Sequence, residues 1–479
     1  MKSPEEYLES LRRLKRTAFI LGERIDSPHE HPLVAPSTLA MAETYAMARE
    51  ADHAELFTAR SHLSGEPINR FTHIMQDRQD LVYKVEMLRA LGRRTATCFQ
   101  RCAGLDALNT MFSVTYELAR SRGTAYHKRF LAFLAGVQER DEVVAACMTD
   151  AKGDRRRRPS EQADPDVYLR VVERRADGVL VSGAKLHITG ALNSHHLLVL
   201  PTRRLRSSEQ DWAISFAIPA DTKGVTFILG RQPADTRRLE RGGGDTGNRY
   251  GGHEAAVLFD RVFVAHEQIF MNGETAFMDP IIRYFGALHR TSYGGCKPGM
   301  GDALIGASSR LARANGTREV AHIREKLAEM VQANEVLYAC GLAASHKGFQ
   351  TPAGCACADV LLANVCKLNV TRNPYQIARL ATDIAGGLLA TLPAAADFAN
   401  EQTGPALRRF LAAAEGIETE ERRRLLRFVE STVAGTGGVC YLMESVHGAG
   451  SPQAQIMQIQ DDETFAKLEG AAQRLLEDR

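Results

Sequence analysis

Six short segments with the composition of β-strands follow one another in the middle of the chain. They are residues 167–172, 179–189, 196–201, 213–219, 225–230 and 255–264, each rich in β-branched, aromatic or other apolar residues and bounded by turn-forming residues. No segment with helical periodicity and useful length lies between them, so the βαβ units of a doubly wound sheet are excluded. We therefore predict antiparallel sheets in this region.

Helical periodicity flanks these segments on both sides. On the N-terminal side, apolar residues recur at spacings of three and four, as at Leu81, Val85, Leu88 and Leu91. Helical patterns return after Phe277 and cover residues 300–347, 356–370, 375–398, 405–414 and 419–434. The 479 residues exceed what one hydrophobic core usually holds. We predict an α+β multidomain fold with an N-terminal helical domain (1–146), a middle antiparallel β-domain (147–275) and a C-terminal helical bundle (276–479).

The charge balance and the hydropathy pattern exclude two classes of partner. Lysine plus arginine (60) nearly cancels aspartate plus glutamate (58), so no net positive field favours nucleic acid. The longest stretch without a charged side chain, Leu186 to Thr202, contains three histidines and is too short and polar to span a bilayer. No apolar signal segment follows Met1, so a cytoplasmic location is expected.

Three of the nine cysteines have a spacing or setting that suggests chemistry. Cys98 and Cys102 stand four residues apart, which would place both thiols on one face of a helix. Far along the chain, His289 and Cys296 lie in a glycine-rich stretch that we expect to form a loop close to a ligand. Together these residues form a Cys3His set, which could hold structural zinc or an iron–sulfur cluster, or could be coincidental. The spacing alone does not show which of these three interpretations is right.

Five segments carry a resemblance to a known family. They are CFQRC (98–102), MTDAKGD (148–154), KLHITG (185–190), HRTSYGGCK (289–297) and MESVHGAGSPQ (443–453). These segments resemble the 4-hydroxybutyryl-CoA dehydratases, a branch of the flavin-dependent 4-hydroxyphenylacetate 3-hydroxylase family with the acyl-CoA dehydrogenase fold. The resemblance covers nearly the whole chain, and CFQRC and H-x6-C are its discriminating parts, because the hydroxylase relatives carry no cluster.

The resemblance implies two cofactors in a homotetramer built as a dimer of dimers. A [4Fe-4S] cluster would be ligated by Cys98, Cys102, His289 and Cys296, with Gln100 as a neighbour. An FAD would lie against two segments of the β-domain, at Met148, Thr149, Asp150, Lys152, His187, Ile188, Thr189 and Gly190. A helical segment with Asp383, Gly386 and Gly387 would meet the flavin of a neighbouring subunit.

The activity implied is that of a lyase with an isomerase side activity. The enzyme would dehydrate 4-hydroxybutyryl-CoA to crotonyl-CoA through a flavin-generated radical, with the cluster as Lewis acid, and would isomerise vinylacetyl-CoA to crotonyl-CoA. His289 is expected to leave its iron site and act as the base towards the C2 proton. Glu254 and Glu444 would form a second acid/base pair, and Tyr293 and Lys297 would donate hydrogen bonds to the departing oxygen.

The sequence leaves three other interpretations of the function open. A cluster-free FAD-dependent monooxygenase of the same family would act on a phenol and leave the Cys3His set without a role. An acyl-CoA dehydrogenase would need an external electron acceptor. A non-catalytic protein with structural zinc would bind neither flavin nor acyl-CoA.

Overall fold

The computed structural model describes residues 1–232 and 249–477. Its N-terminal helices are α1 (Pro4–Arg12), α2 (Ala35–Ala46), α3 (Ala54–Phe57), α4 (Arg78–Thr95), α5 (Cys102–Arg122) and α6 (Tyr126–Glu139). The helices after the β-region are α7 (Met278–Ala314), α8 (Ala321–His346), α9 (Val360–Val370), α10 (Asn373–Ala385), α11 (Ala395–Ala399), α12 (Gly404–Phe410), α13 (Thr419–Val433), α14 (Glu444–His447), α15 (Pro452–Ile459) and α16 (Asp462–Glu477).

The strands form two larger sheets and two short hairpins. They are β1 (Thr17–Ile20), β2 (Glu23–Ile25), β3 (Thr58–Arg60), β4 (Pro67–Asn69), β5 (Val144–Cys147), β6 (Arg170–Arg174), β7 (Gly178–Thr189), β8 (His196–Val199), β9 (Ile214–Pro219), β10 (Val225–Leu229), β11 (Glu254–Ala265), β12 (Ile269–Asn272), β13 (Phe349–Gln350) and β14 (Ala356–Cys357). One sheet has the order β2-β1-β10-β11-β7-β6 and the other β12-β9-β8-β5. The two sheets share one apolar core, which includes Val181, Leu197, Phe216 and Val257. All six predicted strands are present.

The prediction of purely antiparallel sheets is wrong for two pairs of strands. β1 pairs with β10 in parallel, and β5 pairs with β8 in parallel. Both β1 and β5 begin in the part of the chain that the sequence predicts to be helical. Strand β5 spans the predicted boundary between residues 146 and 147. Strands contributed by distant segments can pair in either direction, and the local sequence does not determine which.

The glycine-rich stretch that follows His289 lies inside a helix, which corrects the prediction of a loop. It belongs to α7, a helix of 37 residues that packs against α4 and α8. A Cβ atom on Gly295 would lie 2.4 Å from the carbonyl oxygen of Val85, and one on Gly299 would lie 2.3 Å from that of Arg89. These glycines therefore allow α4 and α7 to approach closely, and tertiary packing outweighs their low helix propensity.

No helix in the described parts of the chain is both long and apolar enough to cross a lipid bilayer.

The carboxylate of Asp80 connects the first turn of α4 to the segment before it. It lies 2.7 Å from Nη1 of Arg70 and 2.8 Å from Nε2 of His73, and it accepts a hydrogen bond of 2.8 Å from the backbone N–H of Gln76. Burial opposes ionisation, but these partners outweigh it and lower the pKa of Asp80 from 3.8 to about 2. The stabilisation is present above about pH 4 and is lost as the pH falls towards 2.

We expect Asp80→Asn to lower the free energy of unfolding by about 2 kcal/mol at pH 6, because the charged carboxylate is removed. The difference from the wild type should shrink as the pH approaches 2. Urea unfolding of both proteins at pH 6 and pH 3 measures this, with Asp26→Asn, an exposed aspartate, as the control. A difference that is equal at both pH values would contradict the prediction.

Candidate active site

Two helices and one connection bring the Cys3His set together. Cys102 is the first residue of α5, and Cys98 lies in the connection between α4 and α5. His289 and Cys296 stand seven residues apart on α7, so that two helical turns place them on one face. The prediction that Cys98 and Cys102 share a helix is wrong, because Ala96 and Gln100 have left-handed backbone conformations (φ 51° and 68°) that interrupt the helical path.

The three thiols lie in one buried apolar cluster and form no disulfide. Burial raises the pKa of Cys296 to about 11 and holds the pKa values of Cys98 and Cys102 well above their ordinary range. A metal ion deprotonates the thiols that coordinate it, so three buried thiols close to a histidine fit a thiolate-ligated metal group.

The four proposed ligand atoms are not gathered as closely as the ligands of one metal ion would be. Among the described residues, no three of the four ligand atoms lie within 4.8 Å of one another. The ligands of a single tetrahedral zinc lie about 3.8 Å apart, given a Zn–S distance of about 2.3 Å. An iron–sulfur cluster binds each ligand through a different iron atom, and the wider spacing suits it better.

A buried ion pair orients His289. Its Nδ1 lies 2.8 Å from Oδ2 of Asp106, whose Oδ1 accepts a hydrogen bond of 2.6 Å from Nζ of Lys84. Ser292 also donates to Asp106, and Lys84 donates to the carbonyl oxygen of Leu288. Burial would raise the pKa of Asp106, but Lys84 and His289 outweigh it and lower it. The arrangement leaves Nε2 of His289 as the nitrogen available for a metal or a proton.

A second buried pair joins Lys297 to Glu444. Nζ of Lys297 donates to Oε2 of Glu444 at 3.1 Å and to the carbonyl oxygen of Cys440, and it lies 5.2 Å from the centroid of the Tyr293 ring. Burial, and to a lesser extent Glu254, raises the pKa of Glu444 despite the attraction of Lys297. Neither Lys297 nor Glu444 is a surface charge, and a π-helix (Val439–Met443), an element often found at functional sites, precedes Glu444.

Glu254, at the start of β11, lies between the β-sheet and this helical region. Its Oε1 accepts a hydrogen bond of 3.3 Å from Thr189, and its Oε2 lies 3.7 Å from Nε2 of His447. The rings of His447 and His187 lie 5.3 Å apart. The carboxylate of Glu254, as acceptor and as negative charge, raises the pKa of His447 against the effect of burial.

The two predicted flavin segments of the β-domain lie side by side. The backbone N–H of Leu186 donates to the carbonyl oxygen of Thr149 at 2.7 Å, and Nζ of Lys185 donates to that of Met148 at 3.0 Å. Asp150 binds Lys185 at 2.7 Å, so that its carboxylate holds the two segments together. Lys152 and His187 have left-handed backbones (φ 74° and 58°), a strain that is typical of functional sites. Ile188 is buried and Gly190 ends the segment.

The predicted helical-domain segment lies apart from these residues within one chain. Asp383 is exposed at the end of α10 and forms an ion pair of 2.8 Å with Lys326, and Gly386 and Gly387 follow on the surface. Among the described residues, no hydrogen bond or ion pair connects them to residues 148–152 or 187–190.

Several residues at this site were not identified from the sequence. Asp106 follows Cys102 by four residues, a helical spacing that could have revealed it. Lys367, on α9, donates to the carbonyl oxygen of Ser445 at 2.6 Å, and burial, with Lys297, lowers its pKa to about 7. Lys84, Lys367 and Cys440 carry no signal in sequence spacing, because distant segments bring them to the site.

Comparison with known proteins identifies relatives along nearly the whole chain. The family model described as 4-hydroxyphenylacetate 3-hydroxylase N terminal matches residues 3–271, and the one described as C terminal matches residues 278–477. The 4-hydroxybutyryl-CoA dehydratase/vinylacetyl-CoA-Δ-isomerase of Clostridium aminobutyricum is 47% identical over 469 residues, which cover 96% of each chain.

Solved structures agree with this relationship. An oxygen-tolerant archaeal 4-hydroxybutyryl-CoA dehydratase from N. maritimus matches with a TM-score of 0.97 and 47% identity over 99% of this chain and 95% of that one. Two more distant structures show the fold alone. They are the oxygenase component of 4-hydroxyphenylacetate 3-monooxygenase complexed with FAD (TM-score 0.84, 21% identity, 98% of each chain) and glutaryl-CoA dehydrogenase (TM-score 0.53, 12% identity, 97% of this chain and 95% of that one). The chain therefore belongs to the 4-hydroxyphenylacetate 3-hydroxylase family, on the branch of the 4-hydroxybutyryl-CoA dehydratases.

Proposed function

We propose that this protein is an enzyme that dehydrates 4-hydroxybutyryl-CoA to crotonyl-CoA and also isomerises vinylacetyl-CoA to crotonyl-CoA. The observation that carries the proposal is the joint placement of three buried thiols and of His289, whose Nδ1 is held by Asp106. The 47% identity to a dehydratase/isomerase over 96% of both chains supports the same activity.

Two cofactors fit the residues present. Cys98, Cys102, Cys296 and His289 would hold a [4Fe-4S] cluster, and residues 148–152 and 187–190 would hold FAD, which is present in a distant relative of the same fold. When bound, the flavin supplies one-electron chemistry and the cluster supplies a Lewis acid. Asp383, Gly386 and Gly387, on the surface of one chain, would meet the flavin of a second subunit in a homotetramer.

The protein's own part in the reaction is the movement of protons. Forming crotonyl-CoA removes one hydrogen each from C2 and C3, releases the C4 hydroxyl as water and adds one hydrogen at C4. His289 takes the C2 proton on Nε2 while its Nδ1–H donates to Asp106. Glu254 and Glu444 act as the acid/base pair for the remaining proton transfers, at C3, at C4 and at the departing hydroxyl. Burial raises the pKa of Glu444, which favours its protonated form as the donor to the departing hydroxyl.

Two further residues stabilise the departing oxygen. Lys297 and Tyr293 are both buried beside Glu444, and each offers a hydrogen-bond donor. Because water is excluded here, these hydrogen bonds are stronger than they would be on the surface.

The decisive measurement is the content of iron, zinc and acid-labile sulfide in protein purified without oxygen. We expect about four irons and four sulfides per chain, together with bound flavin. About one zinc without sulfide would overturn the proposal in favour of a structural metal site. Bound flavin without any metal would overturn it in favour of a cluster-free FAD-dependent monooxygenase.

A further inference from the structure

Gln100, between two of the proposed cluster ligands, is held in a strained backbone conformation by its side chain. Its φ of 68° is left-handed, and the residue is buried. Nε2 donates to the carbonyl oxygens of Ser37 at 2.9 Å, Cys98 at 3.3 Å and Gly251 at 3.4 Å. These hydrogen bonds offset the strain and shape the connection between Cys98 and Cys102.

Asn193 determines which way the amide of Gln100 points. It is fully buried, and its Nδ2 donates to Oε1 of Gln100 at 3.1 Å and to Oγ of Ser37 at 3.0 Å. Its own Oδ1 accepts a hydrogen bond of 2.9 Å from Thr38, which fixes the orientation of the Asn193 amide. If the Gln100 amide were reversed, its oxygen would face three carbonyl oxygens and its NH2 group would face another donor.

The hydrogen-bonded group formed by Ser37, Gln100 and Asn193 also contacts the predicted flavin segment and the chain just before the strand that carries Glu254. Oγ of Ser37 lies 2.5 Å from Nδ1 of His253, and the carbonyl oxygen of His253 accepts a hydrogen bond of 3.2 Å from the N–H of Gly190. Gly190 has φ 69°, and a Cβ atom on it would lie 2.7 Å from the Cβ of Gln100. Four segments that are distant in sequence, residues 37–38, 98–100, 190–193 and 251–253, therefore meet at the amides of Asn193 and Gln100.

We propose that Asn193 is a positioning residue that sets the Cys98–Cys102 connection against the flavin segment, and thereby the spacing of the two cofactor sites. This inference rests on the proposed function. The side chain of Asn193 acts through Gln100, while its backbone N–H donates to the carbonyl oxygen of Gly190 at 2.9 Å. Loss of the side-chain amide leaves a buried oxygen of Gln100 without its donor, which weakens the hold of Gln100 on the connection between Cys98 and Cys102.

The test compares Asn193→Leu, which keeps the size of the side chain but removes its hydrogen bonds, with the wild type. We expect flavin per chain to stay unchanged, while iron is released to a chelator about tenfold faster after exposure to air. Thr38→Val keeps the size of its side chain but removes the donor that fixes the Asn193 amide, and it should give the same result. Asn109→Leu is the matched control, because Asn109 is also fully buried and donates to the carbonyl oxygens of His73 and Leu105.

The outcomes separate this inference from the proposed function. Wild-type protein without iron would overturn both. Iron in the wild type, with release from Asn193→Leu no faster than from Asn109→Leu, would overturn the positioning role alone. Should Asn193→Leu fail to fold, Thr38→Val decides in the same way. Fast release confined to Asn193→Leu and Thr38→Val supports the proposal.

Discussion

Replacing His289 with alanine should lower the rate of dehydration by about 10²- to 10⁴-fold, the usual contribution of a positioned general base. The Nδ1 atom of this imidazole is held by a buried carboxylate, so that Nε2 is the nitrogen left to accept a proton. The same substitution removes one of four proposed ligands, and part of the cluster should survive on the three thiolates. Turnover of 4-hydroxybutyryl-CoA and iron content, measured on the same preparation, test the two effects separately.

Two cysteine variants serve as controls for this experiment. Cys296→Ala should lose the cluster along with the activity, whereas Cys440→Ser should keep its iron. Cys440 is a buried thiol in the same apolar cluster and is not a proposed ligand. Equal turnover by His289→Ala and the wild type would contradict the role of His289 as the base.

The second large effect is expected on stability. Asp106→Ala should lower the free energy of unfolding by about 3–5 kcal/mol, because it leaves Lys84 buried without a counter-ion. Both side chains are fully buried, and Nζ of Lys84 lies 2.6 Å from Oδ1 of Asp106. Urea unfolding measures the loss.

A double variant distinguishes the stabilising role of this pair from its catalytic role. Lys84→Met combined with Asp106→Leu should recover most of the stability, since apolar groups of similar volume replace the ion pair. Activity should not return, because nothing then orients His289. Recovery of both stability and turnover would show that Asp106 acts on the fold alone.

The strands of the β-region were predictable because local sequence carries their signal. Alternating and β-branched residues between turns mark β7, β9, β10 and β11 within a residue of their observed bounds. The helical pattern over residues 419–434 predicted α13, and the acidic first turn of Glu420 and Glu421 is typical of a helix N-terminus. Thr419 is not the capping residue that its type suggests, because the N-cap is Glu418 and no side chain caps the helix. Such features depend on neighbours a few residues away.

The site residues also divide into those that the local sequence reveals and those that it does not. Cys98, Cys102, His289 and Cys296 could be chosen from residue type, spacing and resemblance. Lys84, Lys367 and Asn193 could not, because each is an ordinary polar residue whose role comes from a partner far along the chain. Nζ of Lys84, for example, meets Asp106 across 22 residues and the carbonyl oxygen of Leu288 across 204.

The sequence by itself determined the strand segments, the helical flanks and the residue types available for a metal and a flavin. Only the tertiary structure decided that the glycines after His289 lie in a helix, that β1 and β5 join the sheets in parallel, and that Asp106 meets His289 and Asn193 meets Gln100. The physical reason is the range of the interactions. Propensity and periodicity act over a few residues, whereas close helix packing, sheet pairing and buried hydrogen bonds depend on which distant segments meet.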